Sequence, residues 1–405
     1  MAERLPSIFP RFSEGEYARR YARVRELMAA RGLDALVVYG DSAFQGSNHA
    51  NIVWLANWTD PYSAYVLVPR AGEPTLFISN LLYRHTAARA SNLAQVEWGG
   101  WNAGRIIGER LRDLGLGRGR IGLAGVRNVI RASMPYEHGT ALRDVLPEAT
   151  LEDALDVLQE ARLLKSPEEM VWFERGAAFT DMAVEGIARG IRIGMPEYEL
   201  AALAQCAFLS HGGRWMFHFL GATSMADPEF IFPWQYPSAR PIQAGDIVMS
   251  EISVSYWGYP GQIQRPFAVV GPPTPEYRAL GDLAVECYHR VFEALKPGNT
   301  DEDVKRAAHF VEAKGYRTQD ALLHGCGITI EPPRVDLPCA MIKRELTPVT
   351  FRPGMLLVIQ PHVVSADARR GVQVGNLVAV EADGSRALQK YPLEFIRVAG
   401  RGGSG

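Results

Sequence analysis

The sequence has few cysteines, almost no excess charge and no long apolar run. Its 405 residues include four cysteines: Cys206, Cys287, Cys326 and Cys339. They form no CxxC pair, so neither a disulfide framework nor a zinc knuckle is predicted. A net charge of -2 gives nucleic acid and anionic lipid no electrostatic attraction to the chain. Without a signal-peptide pattern or an apolar run of about 18 residues, we expect a cytoplasmic protein that binds neither nucleic acid nor membranes.

The remaining composition is that of a globular protein. Hydrophobic residues make up 47% of the chain and charged residues 22%, and its length allows two or three domains. Helical spacing predicts a helix from Glu14 to Arg31 and another near 102–114. The segments "LDALVVYG", "NIVWLANW", "AYVLVPRAGEPTLFIS" and "GRIGLAG" are typical of buried strands. This alternation predicts a small α/β domain over residues 1–158.

A second domain is predicted for residues 159–399, followed by a flexible tail at 400–405. Its first helix begins at "KSPEE", where Ser166 is expected to cap the helix and Glu169 to complete a capping box. Long amphipathic helices, such as 275–295, then alternate with β-rich segments. This order predicts an α+β domain with helices on one face of an antiparallel sheet.

Five motifs of the second domain occur in the order and spacing of one known family. They are "KSPEEM", "PIQAGDIVMSEISVSYWGYPGQIQRPF", "LLHGCGITIEPP", "RPGMLLVIQP" and "GVQVGNLVAVEADG". Through them the chain resembles the pita-bread family of creatinase, prolidase and aminopeptidase P, and its first half resembles the smaller domain of creatinase and prolidase. The resemblance implies an antiparallel sheet covered by helices, preceded by the small α/β domain. It also implies a homodimer in which the N-terminal domain of one subunit lies near the site of the other.

In the metallopeptidases of this family, two Asp, one His and two Glu hold two divalent ions. The matching positions of this sequence are Glu251, Gln262, His324, Gln360 and Gly375. One carboxylate remains among them, and neutral amides cannot balance the charge of two dications. The resemblance therefore predicts no metal site and no cofactor. Creatinase and ectoine hydrolase are the members of the family that it most resembles in this respect, since they open a C–N bond without metal.

Glu251 and His324 are the predicted catalytic residues. Glu251 lies within a predicted strand, where a buried charge is costly unless it is paired or used; the alternative is an ion pair with Arg265 across the hairpin. Burial is expected to raise the pKa of Glu251 and so to suit it to acid–base catalysis. His324, with an ordinary pKa of about 6.5, is expected to carry protons; the alternative is a core histidine.

Eight further residues are predicted to bind a substrate. They are Gln262, Gln264, Gln360, Trp234, His362, Glu331, His218 and Tyr259. Each glutamine offers a donor and an acceptor without charge, which suits an amide, urea or carboxylate group. Four aromatic residues are expected to wall an apolar pocket: Trp234, Trp257, Tyr259 and Phe219. The alternatives are glutamines that pair with one another and aromatics that belong to the ordinary core.

These observations favour a hydrolase that cleaves an amide, amidine or urea-like C–N bond of a small polar molecule without metal. Three alternatives stay open. They are a lyase or cyclase that uses the same acid and base, a catalytically inactive binding module and, ranked last, an Xaa-Pro metallopeptidase. The sequence does not name the small-molecule substrate.

Overall fold

The computed structural model describes residues 8–42, 48–126 and 133–400 of the chain. It divides into two compact units, Met1–Arg162 and Leu163–Gly405. The sequence placed this division after residue 158. Apart from Gly400, the predicted tail lies outside the described residues. Within the described ranges, no helix is long and apolar enough to cross a membrane.

The first unit is an α/β domain built on a mixed sheet. Its elements are α1 (Glu14–Ala30), β1 (Ala35–Asp41), α2 (Ala50–Ala56), β2 (Ser63–Pro69), β3 (Thr75–Ile78), a 3-10 turn (Leu81–Tyr83), α3 (Arg84–Ala90), β4 (Gln95–Trp98), α4 (Ala103–Asp113), β5 (Arg120–Ala124), α5 (Tyr136–Val145), β6 (Thr150–Asp153) and α6 (Leu155–Leu163). The strand order is β4-β3-β2-β1-β5-β6. β2 runs antiparallel to both neighbours, whereas β1, β5 and β6 are mutually parallel.

One strand predicted for this unit is wrong. The segment "NIVWLANW" forms helix α2, which ends at Asn57 in a left-handed conformation with φ of 51°. Its apolar run is short and buried along nearly its whole length. Periodicity cannot separate a buried helix turn from a buried strand in such a run.

The second unit carries the larger sheet. Its elements are α7 (Pro167–Gly190), α8 (Glu197–Leu209), β7 (Arg214–Ser224), β8 (Asp246–Tyr256), β9 (Tyr259–Val269), α9 (Pro275–Ala294), α10 (Asp301–Ala308), α11 (Phe310–Ala313), β10 (Arg317–Thr318), β11 (Leu323–Cys326), β12 (Ile330–Val335), β13 (Leu356–Ile359), β14 (His362–Val364), β15 (Gly371–Gln373), β16 (Gly375–Glu381), β17 (Gly384–Ala387) and β18 (Ile396–Val398). The main sheet has the order β12-β11-β13-β16-β9-β8-β7, and β10, β14 and β15 form a small second sheet. The predicted fold class is confirmed in both units.

Alternation along the central hairpin separates the two faces of the main sheet. Ile252 and Val254 of β8 pack with helices α7 and α8 in one apolar cluster. Side chains of successive strand residues point to opposite faces, so Glu251 and Ser253 face away from that cluster. The candidate site residues of the hairpin therefore lie on the face that carries Glu251.

Helix α7 fixes the position of the hairpin through a backbone contact. The helix begins with the predicted capping box between Ser166 and Glu169. A Cβ built on Gly176 would lie 2.5 Å from the Gly261 nitrogen and 2.6 Å from the Tyr259 oxygen. The helix thus packs directly on the backbone of β9, just before Gln262.

We expect Gly176→Ala to lower the free energy of unfolding by about 1–3 kcal/mol, because the added methyl group must displace strand backbone. Urea denaturation would measure the loss. Gly139→Ala in α5 is a suitable control, since its nearest neighbour outside the local helix is the Met134 Sδ at 4.0 Å. Equal stability of Gly176→Ala and the wild type would contradict the close contact.

Candidate active site

The hairpin of β8 and β9 brings the predicted site residues to one face. Glu251 lies opposite Gln264, and Ser253 lies opposite Gln262. Residues that are directly opposite in an antiparallel pair share a face, with Cβ atoms about 4.5–5.5 Å apart. Glu251, Gln262 and Gln264 therefore project together from the sheet.

A hydrogen-bonded cluster connects these side chains to the next strands. Gln262 Nε2 donates to Glu251 Oε1 at 2.8 Å and to Gln360 Oε1 at 3.2 Å. Gln264 Nε2 donates to the same Gln360 oxygen at 3.0 Å. His324 is hydrogen bonded to the Gln360 side chain. Five residues predicted from the sequence thus form one buried network.

Burial dominates the electrostatics of Glu251. Removal from water raises its pKa to about 7, because the charged carboxylate loses its hydration. Hydrogen bonds from Gln264, Gln262 and Gln373 oppose this rise, while the negative charge of Asp320 adds to it. Near neutral pH Glu251 can therefore both release and take up a proton.

His324 differs from the proton carrier that the sequence predicted. Burial lowers its pKa to about 4, so the imidazole is neutral at pH 7. Its Nδ1 lies 2.9 Å from the Gly325 carbonyl oxygen. A carbonyl oxygen only accepts, so Nδ1 carries the hydrogen of the neutral ring. The arrangement suits His324 to holding Gln360 in place.

Gln373 is a member of the cluster that the sequence analysis missed. It is buried at the end of β15, and its side chain is hydrogen bonded to Glu251. One feature of the sequence could have indicated this role: Gln373 lies two residues before Gly375, which is a motif position. His362 lies opposite Gln373 and shares its face of the small sheet, and its role in substrate binding stays a prediction.

The structure places two predicted substrate-binding residues elsewhere. His218 lies opposite Ile252, so it is on the helix-covered face of the sheet, the opposite face from Glu251. Tyr259 packs edge-on against Trp172 and Phe173 of α7. The prediction that they line the site is wrong, because strand alternation directs both towards the helices.

Two other predicted residues have separate surroundings. Glu331 forms a buried ion pair with Lys165 at 3.1 Å, and it packs over Gly327. Trp234 is 38% exposed and packs on Phe230 with ring centroids 4.5 Å apart. It lines a surface groove of about 460 Å³ together with Tyr236. No hydrogen bond described for the Glu251 cluster involves either of them.

The suggested ion pair between Glu251 and Arg265 is also wrong. Arg265 lies opposite Ser250, on the other face of the sheet. Its guanidinium donates to the Gly375 carbonyl at 2.7 Å and to Asn376 Oδ1 at 2.8 Å. Arg265 therefore ties β9 to β16 and leaves Glu251 among neutral amides.

Aromatic rings border the cluster on the side of β7. Phe219 lies opposite Glu251 and Phe217 lies opposite Ser253, so both rings share the face of the site. The two rings stack at 5.1 Å, and Phe232 lies 5.7 Å from Phe219 and 5.8 Å from the His362 ring. Of the residues predicted to wall a pocket, Phe219 lies on this face, beside Phe217 and Phe232.

The residues at the family's metal positions do not fit a pair of divalent ions. Among the described residues, no group of three or more His, Cys, Asp or Glu side chains is placed to hold a metal ion. A Cβ built on Gly375 would collide with Gln264 Oε1 and lie 2.5 Å from the Ile359 oxygen. Gln264 thus fills the space that a carboxylate side chain at position 375 would need.

Comparisons with known proteins identify relatives over nearly the whole chain. The Xaa-Pro dipeptidase of Pyrococcus horikoshii is 23% identical over 380 residues, which are 92% of this chain and 97% of the relative. The creatinase of a Bacillus species is 23% identical over 402 residues, 95% of this chain and 93% of the relative. The crystal structure of the prolidase from Pyrococcus horikoshii OT3 matches with a TM-score of 0.75 at 21% identity, covering 92% of this chain and 98% of that one.

These matches overturn the order of functions that the sequence favoured. A hydrolase was expected, and that is confirmed at the level of the family. The non-peptidase C–N hydrolase without metal was ranked first and the Xaa-Pro peptidase last. That order is wrong, because relatives are named Xaa-Pro dipeptidase and prolidase, and the matching family is one of metallopeptidases. The order was wrong because the reaction was inferred only from the absence of carboxylates at the family's metal positions.

Two family models account for the two units. The Creatinase/Prolidase N-terminal domain matches residues 20–164, and Metallopeptidase family M24 matches residues 172–382. The second match alone covers more than half of the chain. The chain therefore belongs to metallopeptidase family M24, with an N-terminal domain of the creatinase/prolidase type.

Proposed function

We propose that this protein hydrolyses the peptide bond of dipeptide-sized substrates. The observation that carries the proposal is the buried Glu251, whose pKa of about 7 lets it exchange a proton at neutral pH. The name of the Pyrococcus relative, Xaa-Pro dipeptidase, supports peptides as the substrate class and an Xaa-Pro bond as the first one to test.

In the proposed reaction, the Glu251 carboxylate removes a proton from the water that attacks the peptide carbonyl carbon. The carboxylic acid so formed then protonates the departing amine nitrogen, which restores the carboxylate. Proton transfer by a positioned side chain typically contributes a factor of about 10² to 10⁴. Because the site does not fit a pair of metal ions, no step is assigned to a metal.

His324 and the glutamines have a positioning role in this proposal. The neutral His324 holds Gln360, and the Gln360 oxygen in turn receives hydrogen bonds from Gln262 and Gln264. These amides fix the Glu251 carboxylate without neutralising it. A lysine or arginine at the same place would lower the pKa of Glu251 and weaken it as a base.

The test is release of free amino acids from a dipeptide panel. Leu-Pro, Met-Pro, Leu-Ala and Gly-Gly are incubated with the purified protein, once after dialysis against chelator and once with added Mn²⁺, and products are quantified by chromatography. We expect turnover of at least one dipeptide. If the folded protein cleaves none of these dipeptides under either condition, the proposal is contradicted.

The assembly and location of the protein stay predictions. A homodimer, with the N-terminal domain of one subunit near the site of the other, is consistent with large apolar side chains at the surface of the first unit. Trp101 is 93% exposed and Leu82 is 82% exposed. The four cysteines are free of disulfide bonds, as a protein of the reducing cytoplasm would have them.

A further inference from the structure

The surface groove of the second unit lies on the segment that connects β7 to β8. Its volume of about 460 Å³ is within the range of about 300–1,000 Å³ that is typical of small-molecule sites. The residues that line it are Glu229, Trp234, Gln235, Tyr236, Ser238 and Arg240. All of them lie in residues 229–240, so one segment forms the groove.

Hydrogen bonds from neighbouring elements hold this segment in place. The Trp234 carbonyl oxygen accepts from the Leu220 N–H of β7 at 3.0 Å. The Ser238 N–H donates to Glu197 Oε2 at 2.8 Å. Glu197 is fully buried, and its other carboxylate oxygen accepts from the Ala222 N–H at 2.7 Å. Because the backbone of the groove is held at two points, little ordering is left to be done when a ligand binds.

Two aromatic rings form the apolar part of the groove. Trp234 packs on Phe230 with ring centroids 4.5 Å apart, and 38% of its surface stays exposed. Tyr236 is 84% exposed, so its ring is open to a ligand. The face of an aromatic ring carries negative electrostatic potential and attracts an organic cation that lies over it. The two rings therefore favour a ligand that is both partly apolar and positively charged.

The charges around the groove are predominantly negative. Arg240 forms a bidentate ion pair with Asp246, at 2.7 and 3.0 Å, so its positive charge is already balanced. The hydrogen bonds with Asp246, together with the negative charges of Glu197 and Glu229, raise the pKa of Arg240. Three carboxylates thus lie near one guanidinium group. Glu229 is exposed, and no ion pair within the part of the chain that the structure describes includes it. The groove therefore attracts a cation.

A guanidinium group fits this combination better than an ammonium group or a metal ion does. A guanidinium is planar and weakly hydrated, so it stacks readily on an aromatic face. Its parallel N–H bonds match the two oxygens of a carboxylate such as that of Glu229. An ammonium group is a more strongly hydrated point charge, and a single exposed carboxylate supplies too few ligands for a metal ion.

We propose that this groove binds the guanidinium group of a small molecule. The guanidinium stacks on the exposed part of Trp234 beside Tyr236, and its N–H bonds donate to the Glu229 carboxylate. None of these three residues belongs to the hydrogen-bonded cluster around Glu251. The inference therefore goes beyond the proposed dipeptide hydrolysis and does not rest on it.

Three probes with the same butyl chain separate charge from shape. Butylguanidine carries the planar cation, butylurea is a neutral counterpart of nearly the same shape, and butylamine carries the charge without the planar fork. None has a peptide bond, so NMR titration of the full chain reports on the groove whether or not dipeptides are cleaved. We expect butylguanidine to bind at least about 10-fold more tightly than butylurea and about 3-fold more tightly than butylamine. Its affinity should fall as salt is added, because Glu229 is exposed.

Variants assign the binding to the groove. Trp234→Leu removes the ring and Glu229→Gln removes the charge while keeping the shape, and each should weaken butylguanidine binding about 3-fold or more. Trp101→Leu and Glu394→Gln are the matched controls, since they change exposed residues outside the groove. Both should keep the wild-type affinity. Thermal unfolding identifies a variant that fails to fold, and Tyr236→Leu then tests the same wall at a more exposed position.

Several outcomes overturn the inference. They are equal binding of butylguanidine and butylurea, wild-type affinity of folded Glu229→Gln for butylguanidine, and no butylguanidine binding at millimolar concentrations. A Gly-Arg-Gly peptide with blocked ends presents the same guanidinium group on a peptide. If it binds more tightly than butylguanidine, the groove is a peptide site and the assignment to a small molecule is wrong.

Discussion

Glu251→Gln is expected to lower kcat/KM for dipeptide hydrolysis by a factor of about 10² to 10⁴, the range for loss of a general base. The substitution keeps the shape of the side chain and removes its ability to take a proton. In the wild type, kcat/KM should rise with pH through about 7, as Glu251 becomes ionised. The residual activity of the variant should lack this step.

The control for this prediction is Glu394→Gln, which changes an exposed carboxylate of the same unit. It should leave both kcat/KM and the pH profile unchanged. Wild-type activity in folded Glu251→Gln protein would remove Glu251 from the mechanism. An unchanged pH step in the variant would assign the titration to another group.

The same substitution should change the pH dependence of stability. The pKa of Glu251 is raised from 4.5 in the unfolded chain to about 7 in the folded protein. The folded state therefore binds the proton more tightly, and its stability falls as the pH rises from about 4.5 to 7. For this shift the loss is about 3 kcal/mol, and Glu251→Gln should abolish it.

Urea unfolding at pH 5 and pH 8 would measure this linkage. The readout is the difference between the two pH values, because the substitution also changes the hydrogen bonds with the neighbouring amides by a pH-independent amount. A variant that loses activity but resists alkaline destabilisation would indicate that the buried carboxylate is kept for function at a cost in stability. Parallel pH curves for the two proteins would contradict the raised pKa.

Most of the fold could be predicted from local patterns. The hairpin was placed because the segment "PIQAGDIVMSEISVSYWGYPGQIQRPF" matches a motif of the family, and β8 and β9 occupy Asp246–Tyr256 and Tyr259–Val269. The helix entry at Ser166 was placed because a capping box acts within one turn. Helix α2 was missed because its short apolar segment carries no period that distinguishes helix from strand.

The residues of the candidate site could be predicted where a family motif fixed their positions along the strands. Glu251, Gln262 and Gln360 occupy motif positions, and the structure joins them by hydrogen bonds. His218 was misplaced because no motif indicated which of the alternating residues of β7 face the site, and the structure pairs His218 with Ile252 on the opposite face. Gln373 was missed because β15 reaches the site from a different sheet.

The pKa of His324 is a second property of the site that could not be predicted from the sequence. A sequence gives the ordinary pKa of an imidazole, but burial decides the actual one. The structure buries His324 in β11 between β12 and β13 and lowers its pKa to about 4. The roles predicted for the two catalytic residues therefore change: Glu251 has the pKa for proton transfer at neutral pH, and His324 has the hydrogen bonds of a positioning residue.

Lys165→Met is expected to lower the free energy of unfolding by about 3–5 kcal/mol. The Lys165 ammonium lies 3.1 Å from Glu331 Oε2, and the two side chains are only 3% and 7% exposed. Removing one partner of a buried ion pair typically costs more than the pair itself contributes to stability, because the remaining buried charge loses a counter-charge. Urea denaturation measures the loss, with the exposed pair of Arg369 and Asp227 as the comparison. Arg369→Met should cost less than about 1 kcal/mol.

The double variant Lys165→Met/Glu331→Met separates charge from packing. Replacing both partners removes the buried charge, so the double variant should regain most of the stability that Lys165→Met loses. Glu331 packs over Gly327 in the turn between β11 and β12, the turn that follows His324. Lys165→Met should therefore also lower dipeptide hydrolysis, and the double variant should restore part of it. If the two single losses simply add in the double variant, the pair does not stabilise this turn through its charge.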